Sequence, residues 1–590
     1  MGWKRNRQHG EFLPKKKRKI RSLGREELII CPPSSKKKYK AVQLKNGLRA
    51  LLVSDPDVTV AAVSMSIRVG YFLDPPEAQG LCHLLGSSAY PGKNDFLDYL
   101  TLHGGNSNAE TLIDYSRFYM HVDPDFLKGA LKRFSEMFIS PLLELESIEK
   151  EILGVDSEFE TRNTVDRNRH EQLKSHTSGN GQPYQRFGSG NKKSLCNVTI
   201  VDLQKLMKKF FDQHYHGSAM KLCILGGESL SELESWIKKY FCGVKESSEP
   251  ITTVFNLPKP IWDASTLYIS EGVEGRNVLM LSWMIPPLTE TCYLEKPELY
   301  PLILLDKASK GSVYAILGDK GWVTGLDVRF EGHSSYRSGD RLFSLFLSLT
   351  ALGLEKKYEV IRYTYQYISL LRKIEPQKWV FDQYWKNRRT KFNCLEIDAC
   401  TFVENLSVNM LKYPMKHVLS GDYVHQKWNP KSIKDIMKVF APENMRIDLI
   451  HKSFKASDFE TEPWYDIRFI EEQIPQKFID EWRNISEIDS SMHFPPKNWF
   501  MQTASKPRDC ISEDEDKIPK ILVDKSFLKV WHQREQAGSA HAYFCIYVNG
   551  DSHTVENQLM MHLFARLQRD ELNDLLWEGN EANLSNSFTL

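Results

Sequence analysis

Leu203-Gln204-Lys205-Leu206-Met207-Lys208-Lys209-Phe210 returns later in the chain as Ile433-Lys434-Asp435-Ile436-Met437-Lys438-Val439-Phe440. In both copies the apolar residues fall at i, i+3, i+4 and i+7, the spacing of one helix face. Each is followed by an alternating, strand-like run, Met220 to Leu225 and Met445 to Ile450. A helix feeding a strand, met twice, predicts two copies of one α+β unit. The boundary between copies falls near Pro258 to Ala264.

Working outward, Tyr39 to Asp55 alternates apolar and polar residues around Asn46-Gly47, a strong hairpin signal. Val58 to Val69 and Ala109 to Asp123 are strand-like. Helices are predicted from Gln79 through Leu85, from the N-cap Asn94 to the Gly104-Gly105 stop, and from Leu145 towards Arg162. Phe126, Leu127, Ala130, Leu131, Phe134 and Phe138 mark another at helical spacing. Past Phe459 the register changes, and Ser505 to Lys517 is polar enough to be a linker. A further unit starts near Ile518 and carries an amphipathic helix over Glu556 to Trp577.

At 590 residues with 41% hydrophobic and 26% charged content, the chain is that of a folded protein with about three domains. No run of roughly eighteen apolar residues and no apolar leader follows Met1-Gly2-Trp3-Lys4-Arg5, so no membrane role is expected, and a cytoplasmic location is. The 10 cysteines are scattered without a C-x-x-C pair, which fits reduced thiols. The net charge of +2 conceals a basic tail on an acidic body. In that tail Lys15, Lys16, Lys17, Arg18 and Lys19 follow Pro14 in the manner of a nuclear-import signal, and a solvated basic arm fits the same residues. The tail lacks the interleaved aromatics that stack on bases, so nucleic acid is not an expected partner.

Several segments occur in a telling order: Gly80-Leu81-Cys82-His83-Leu84-Leu85-Gly86-Ser87, Tyr90-Pro91, His103-Gly104-Gly105-Asn106-Ser107-Asn108-Ala109 and Glu151 through Glu158. Phe187-Gly188-Ser189-Gly190-Asn191, Lys320-Gly321-Trp322, Val403-Glu404-Asn405, Tyr413-Pro414 and Trp464-Tyr465 extend it. Together they resemble the insulinase (pitrilysin-type, inverzincin) metallopeptidase family, and within it the nardilysin branch, though the acidic insertion of that branch is absent after Asp55. The resemblance covers Lys38 to Leu590. It implies an α+β fold of tandem domains, each a mostly antiparallel sheet packed on helices. The expected division is 1–38, a disordered basic tail; 39–260 and 261–470, two insulinase-like domains; 471–517, a linker; and 518–590, part of a third.

In that family an inverted H-x-x-E-H motif on a helix, with a glutamate from a later helix, binds zinc. Two histidines four apart share a helix face and reach one ion, and the intervening glutamate takes a proton from bound water. Here the first ligand matches His83 and the third matches Glu158, with Glu151 as support. The general-base position holds Gly86 and the second-ligand position Ser87. The segment from Leu85 to Tyr90-Pro91 is also shorter than in the family, so the two residues are either substituted or deleted. On either alignment the base and a ligand are missing, and no zinc cofactor is expected. His83 then serves as a half-buried histidine, or as part of an opportunistic site. Asn108 and Ala109 match the strand on which family members lay an extended peptide, a backbone interaction that needs no metal; a plain edge strand is the alternative.

The resemblance therefore implies a catalytically inactive homologue that binds peptides or a protein partner. A weak zinc endopeptidase cleaving near basic residues and a nuclear interaction protein are the alternatives. Family members of this type close four domains into a chamber, so a homo- or heterodimer covering the missing half is a further expectation.

Overall fold

The structure, a computed structural model, describes residues 28–88, 93–179, 183–246, 266–286, 292–331, 341–393, 397–423, 427–501, 520–525, 528–532 and 554–582, with 262, 395 and 584. The proposed import signal, Tyr90-Pro91 and the 505–517 stretch lie outside them.

Six strands form the first sheet: β1 (Lys38–Gln43), β2 (Arg49–Ser54), β3 (Ala61–Ile67), β4 (Asn106–Thr111), β5 (Ser116–Val122) and β6 (Met220–Gly226), in the order β1-β2-β6-β3-β5-β4. Seven form the second: β7 (Thr266–Glu271), β8 (Asn277–Ile285), β9 (Val323–Glu331), β10 (Arg341–Leu349), β11 (Met445–His451), β12 (Glu460–Glu462) and β13 (Ile467–Gln473), in the order β12-β13-β7-β11-β8-β10-β9. The five strands β2-β6-β3-β5-β4 have their counterparts in β7-β11-β8-β10-β9. In both series only the first pair is parallel. The fold is α+β, two mostly antiparallel sheets packed on helices.

The repeated octapeptide explains the shared core. Its two copies lie in the helices Ile200–His214 and Pro430–Val439, opened by side-chain caps from Thr199 and Asn429. Leu203, Met207 and Phe210 bury one face on the first sheet, and Ile433, Ile436 and Met437 do so on the second. The strands that follow, β6 and β11, are interior to their sheets, which is why both are almost wholly buried.

Each half also supplies a helix that covers the other's outer sheet face. The Ala399–Lys412 helix lays Phe402, Val403, Leu406 and Met410 on Leu51, Val53, Ala62, Cys223 and Leu225 of the first sheet. Its Ser407 hydroxyl meets those of Ser64 and Ser66, 2.8 Å from each. In return the Asp166–His176 helix sets His170 3.4 Å from Asp448, which also accepts a buried pair of bonds from Arg446. On that helix Lys174 pairs with Glu331, and Arg169 with Glu271. Buried ion pairs add little net stability over a well-packed apolar contact, but losing one partner is expensive, so they favour a single docking register.

Four sequence expectations change. The 1–38 tail is ordered at its end: Ile29 is buried against the Ala399–Lys412 helix, and the Ile30 N–H donates to the Lys416 carbonyl at 3.0 Å. Residues 471–517 are not a linker throughout, because the Gln476–Arg483 helix sinks Ile479 and Trp482 into the second core. The Ala109–Asp123 run is two strands, turned at 112–115, where Leu112 N–H donates to Tyr115 at 2.9 Å without the glycine or proline that announces a turn. The Glu556–Trp577 helix breaks at Leu572 into Val555–Glu571 and Asn573–Glu581. Among the described residues no helix is long and apolar enough to cross a membrane.

Candidate functional site

The helix Leu81–Ser88 carries the altered motif between the helix Leu145–Asn163 and β4. It starts after Gly80, which has φ +91° and lies against Gly190, itself at φ +66°; a Cβ on Gly80 would collide with the Gly190 backbone. Two of the helix-entry amide N–H groups, of Gly80 and Cys82, donate to Asp74 at 2.8 Å each. Burial raises the Asp74 carboxyl to about 7 in spite of those bonds.

The glycine contact brings the 187–191 loop over the helix, and this sets the state of His83. Its Nδ1 lies 2.7 Å from the Ser189 carbonyl and its Nε2 3.2 Å from Glu158 Oε2. Neither oxygen can donate while the carboxylate is ionised, so the two contacts favour an imidazole protonated on both nitrogens. Burial pulls the imidazole pKa down, but the hydrogen bond and charge of Glu158, with the Ser189 carbonyl, outweigh it and leave it raised. The His83 bond in turn takes Glu158 down to about 2, against partial burial and with help from the His83 and Arg162 charges. Arg162, one turn beyond Glu158, closes the other carboxylate oxygen at 3.0 Å.

Gly86 faces β4: a Cβ there would meet only Thr111 Oγ1 at 3.8 Å and Phe118 at 4.0 Å. Ser87 returns its hydroxyl to the His83 carbonyl at 3.5 Å. Glu151 lies half-buried two turns before Glu158 on the same helix. Among the described residues no group of three His, Cys, Asp or Glu side chains is placed to hold a metal ion. A catalytic zinc site needs three donors and a free position. The donors here are one imidazole, His83, and one carboxylate, Glu158, already bound on both oxygens, which is one donor short of that number. This set does not fit zinc.

Asn108 and Ala109 lie on β4, the last strand of its sheet. The N–H groups of Ser107 and Ala109 donate to the side chains of Asn106 and Asn108, each at 2.8 Å. Residues two apart point their N–H groups the same way along a strand, so these side chains satisfy successive edge donors locally. Sequence reasoning missed Arg162, Ser189 and Asp74. Arg162 was accessible from its i+4 spacing to Glu158. Ser189 acts through its carbonyl, which residue type does not reveal. Trp464 stacks on Phe187 at 4.9 Å and the Tyr465 hydroxyl lies 3.3 Å from Ser189 Oγ, so the second half braces the loop that binds His83.

Three family models match in succession: "Insulinase (Peptidase family M16)" over residues 49–185, "Peptidase M16 inactive domain" over 203–387 and "Middle or third domain of peptidase_M16" over 395–590. The chain belongs to the M16 insulinase family. A nardilysin-like protein of Arabidopsis thaliana is 36% identical over 642 residues, 96% of this chain and 62% of that protein. The insulin-degrading enzyme of Drosophila melanogaster is 30% identical over 92% of the chain and 56% of its own length. The crystal structure of pitrilysin superposes with a TM-score of 0.77 at 23% identity, covering 94% of this chain and 59% of that one. This M16 chain thus spans about three fifths of the relatives it matches. The insulinase match encloses both His83 and Glu158, so the ion pair occupies the domain in which the resemblance places the family's zinc.

The pair gives a pH dependence whose sign is fixed by the two shifts. A raised histidine contributes stability below its unfolded value of 6.5 that is lost as pH rises through the folded value. A lowered glutamate contributes above 4.5, and its contribution is lost as pH falls through about 2. Both act fully between these unfolded values. In Glu158→Gln the His83 pKa is expected to fall below its wild-type value, as followed by NMR titration of its ring protons; an unchanged titration would show that the pair does not form in solution.

Proposed function

We propose that this chain is a catalytically silent member of its family that binds extended peptides, or an extended segment of a protein partner, along β4. The observation that carries the proposal is the pairing of His83 with Glu158 at 3.2 Å, beside a helix with Gly86 and Ser87 where the resemblance places base and second ligand. Losing a positioned base alone removes on the order of 10² to 10⁴ in rate. The edge strand keeps its backbone beside the altered helix, and strand addition uses main-chain hydrogen bonds alone.

Ala109→Pro is the test. It removes an N–H bonded only to the neighbouring Asn108 side chain, and proline is tolerated on edge strands. Binding of a fluorescein-labelled basic peptide, read by anisotropy, is expected to weaken at least about tenfold with unchanged circular dichroism, the equivalent of about one or two backbone bonds. Equal affinity in the variant would remove β4 as the binding edge.

A weak zinc endopeptidase acting near basic residues is the second reading. It is favoured by the approach of His83 to Glu158 and by the enzymes named among the relatives. Nuclear import through Lys15 to Lys19 is proposed from sequence: neutralising those residues in a tagged chain should abolish nuclear signal, and equal signal would discard the motif.

A further inference from the structure

A cavity of about 240 Å³ lies away from the altered motif, between the second half and the C-terminal helices. Four separate parts of the chain wall it: the end of the helix Leu299–Leu305 with Lys307, the helix Lys378–Asn393, the stretch around Pro495 and Met501, and the end of the helix Asn573–Glu581. Its charged lining is Lys307, Arg388 and Lys391 against the single carboxylate of Glu581. Lys307 already serves that carboxylate and also covers Trp577, with its Nζ 4.2 Å from the ring centre. Arg388 donates its Nε to the Tyr384 hydroxyl at 3.2 Å. Among the described residues no carboxylate pairs with Arg388 or Lys391. Lys391 is exposed at the cavity's mouth, and burial followed by the Arg388 charge pushes its pKa down. The remaining lining sets the apolar and aromatic Ile303, Trp379 and Pro495 beside the polar Gln383, Asn387 and Asn580.

We propose that this cavity binds a small organic anion, its acidic head on Arg388 and Lys391 and its apolar body against Trp379, Ile303 and Pro495. Two adjacent unpaired cations match the two or more acceptor oxygens of a carboxylate or phosphate. The volume is that of about eight waters at ~30 Å³ each, room for a ring plus an acidic group and below the size of a drug-like pocket. Because the walls come from distant segments, the bound anion also fastens the terminal helix. That helix is otherwise held here by the Glu581 bonds to Lys307 and Asn387 and by Asn498 Nδ2, which donates to the Glu578 carbonyl at 2.8 Å.

The test is calorimetric titration of the full chain with phenyl phosphate, phenylacetate and neutral benzyl alcohol, alongside the Arg388→Gln, Lys391→Gln double variant. At least one anion is expected to bind wild type, and the tighter one identifies the head group. Affinity should drop about tenfold or more in the double variant. Binding should also slow hydrogen exchange in 573–581. Absence of binding by both anions, equal binding in the variant, or equal binding of benzyl alcohol would overturn the proposal. Should the variant fail to fold, the salt response of wild type decides: affinity should fall as ionic strength rises from about 0.05 to 0.5 M, and a constant value would contradict a charge-held ligand.

Discussion

Replacing Gly86 by Glu and Ser87 by His together is expected to raise the zinc that the chain holds to about one per molecule. The helix Leu81–Ser88 puts positions 83 and 87 one turn apart on one face, and a Cβ at 86 meets nothing closer than 3.8 Å. Two imidazoles and Glu158 then supply three donors, and metal binding releases the proton from His83 Nε2. Ser87→His alone should bind zinc without gaining cleavage, and Gly86→Glu alone should gain neither. If the double variant cleaves, the restored base should contribute on the order of 10² to 10⁴ over Ser87→His. Metal content, measured by plasma mass spectrometry after zinc equilibration and desalting, is the primary readout because it needs no substrate contact from beyond this chain. A second repair, reinserting the family's longer segment after Leu85, separates substitution from deletion: recovery only in that form would mean the ligand positions were deleted.

Trp482→Ala should destabilise the second half by about 3 to 5 kcal/mol, the usual cost of emptying a buried tryptophan site. The side chain is 2% exposed and lies near-parallel to Tyr365 and Phe478, at 6.1 and 6.0 Å. Tyr358 and Ile479 complete its surroundings. Urea unfolding followed by the loss of buried tryptophan fluorescence measures it. A variant as stable as wild type would return 471–501 to the linker expected from sequence.

That correction shows where sequence patterning was sufficient. The octapeptide repeat gave the duplicated helix and the central strand because periodicity reports a face that must be buried, and both copies bury it. Trp482 stands in an eight-residue helix between Pro475 and the Asn484-Ile485-Ser486-Glu487 stretch, too short for its period to stand out. Ile29 was invisible for a related reason: the four-residue apolar run Leu28 to Cys31 is too short to show a period, and it gains its partner only when the Ala399–Lys412 helix arrives from the other half. The turn at 112–115 contains no turn-forming dipeptide, so two strands looked like one.

The site was partly legible for the same physical reason. On the proposed reading, the loss of base and ligand about Gly86 and Ser87 is a matter of residue type, which the chain itself displays. What the remaining residues do is not. The two contacts of His83 favour its protonated form: a backbone carbonyl from a loop more than one hundred residues away, placed by the Gly80–Gly190 contact, faces one nitrogen while Glu158 faces the other. Asn106 and Asn108 bond to the backbone of their own successors, a role that follows from strand geometry.

The most direct measurement is made on the unaltered protein: zinc stoichiometry after equilibration, with chelator-sensitive cleavage of a basic peptide assayed on the same preparation. Zinc well below one per chain and no chelator-sensitive cleavage is the predicted result. One zinc per chain, with cleavage that the chelator stops and Glu158→Gln abolishes, would contradict it.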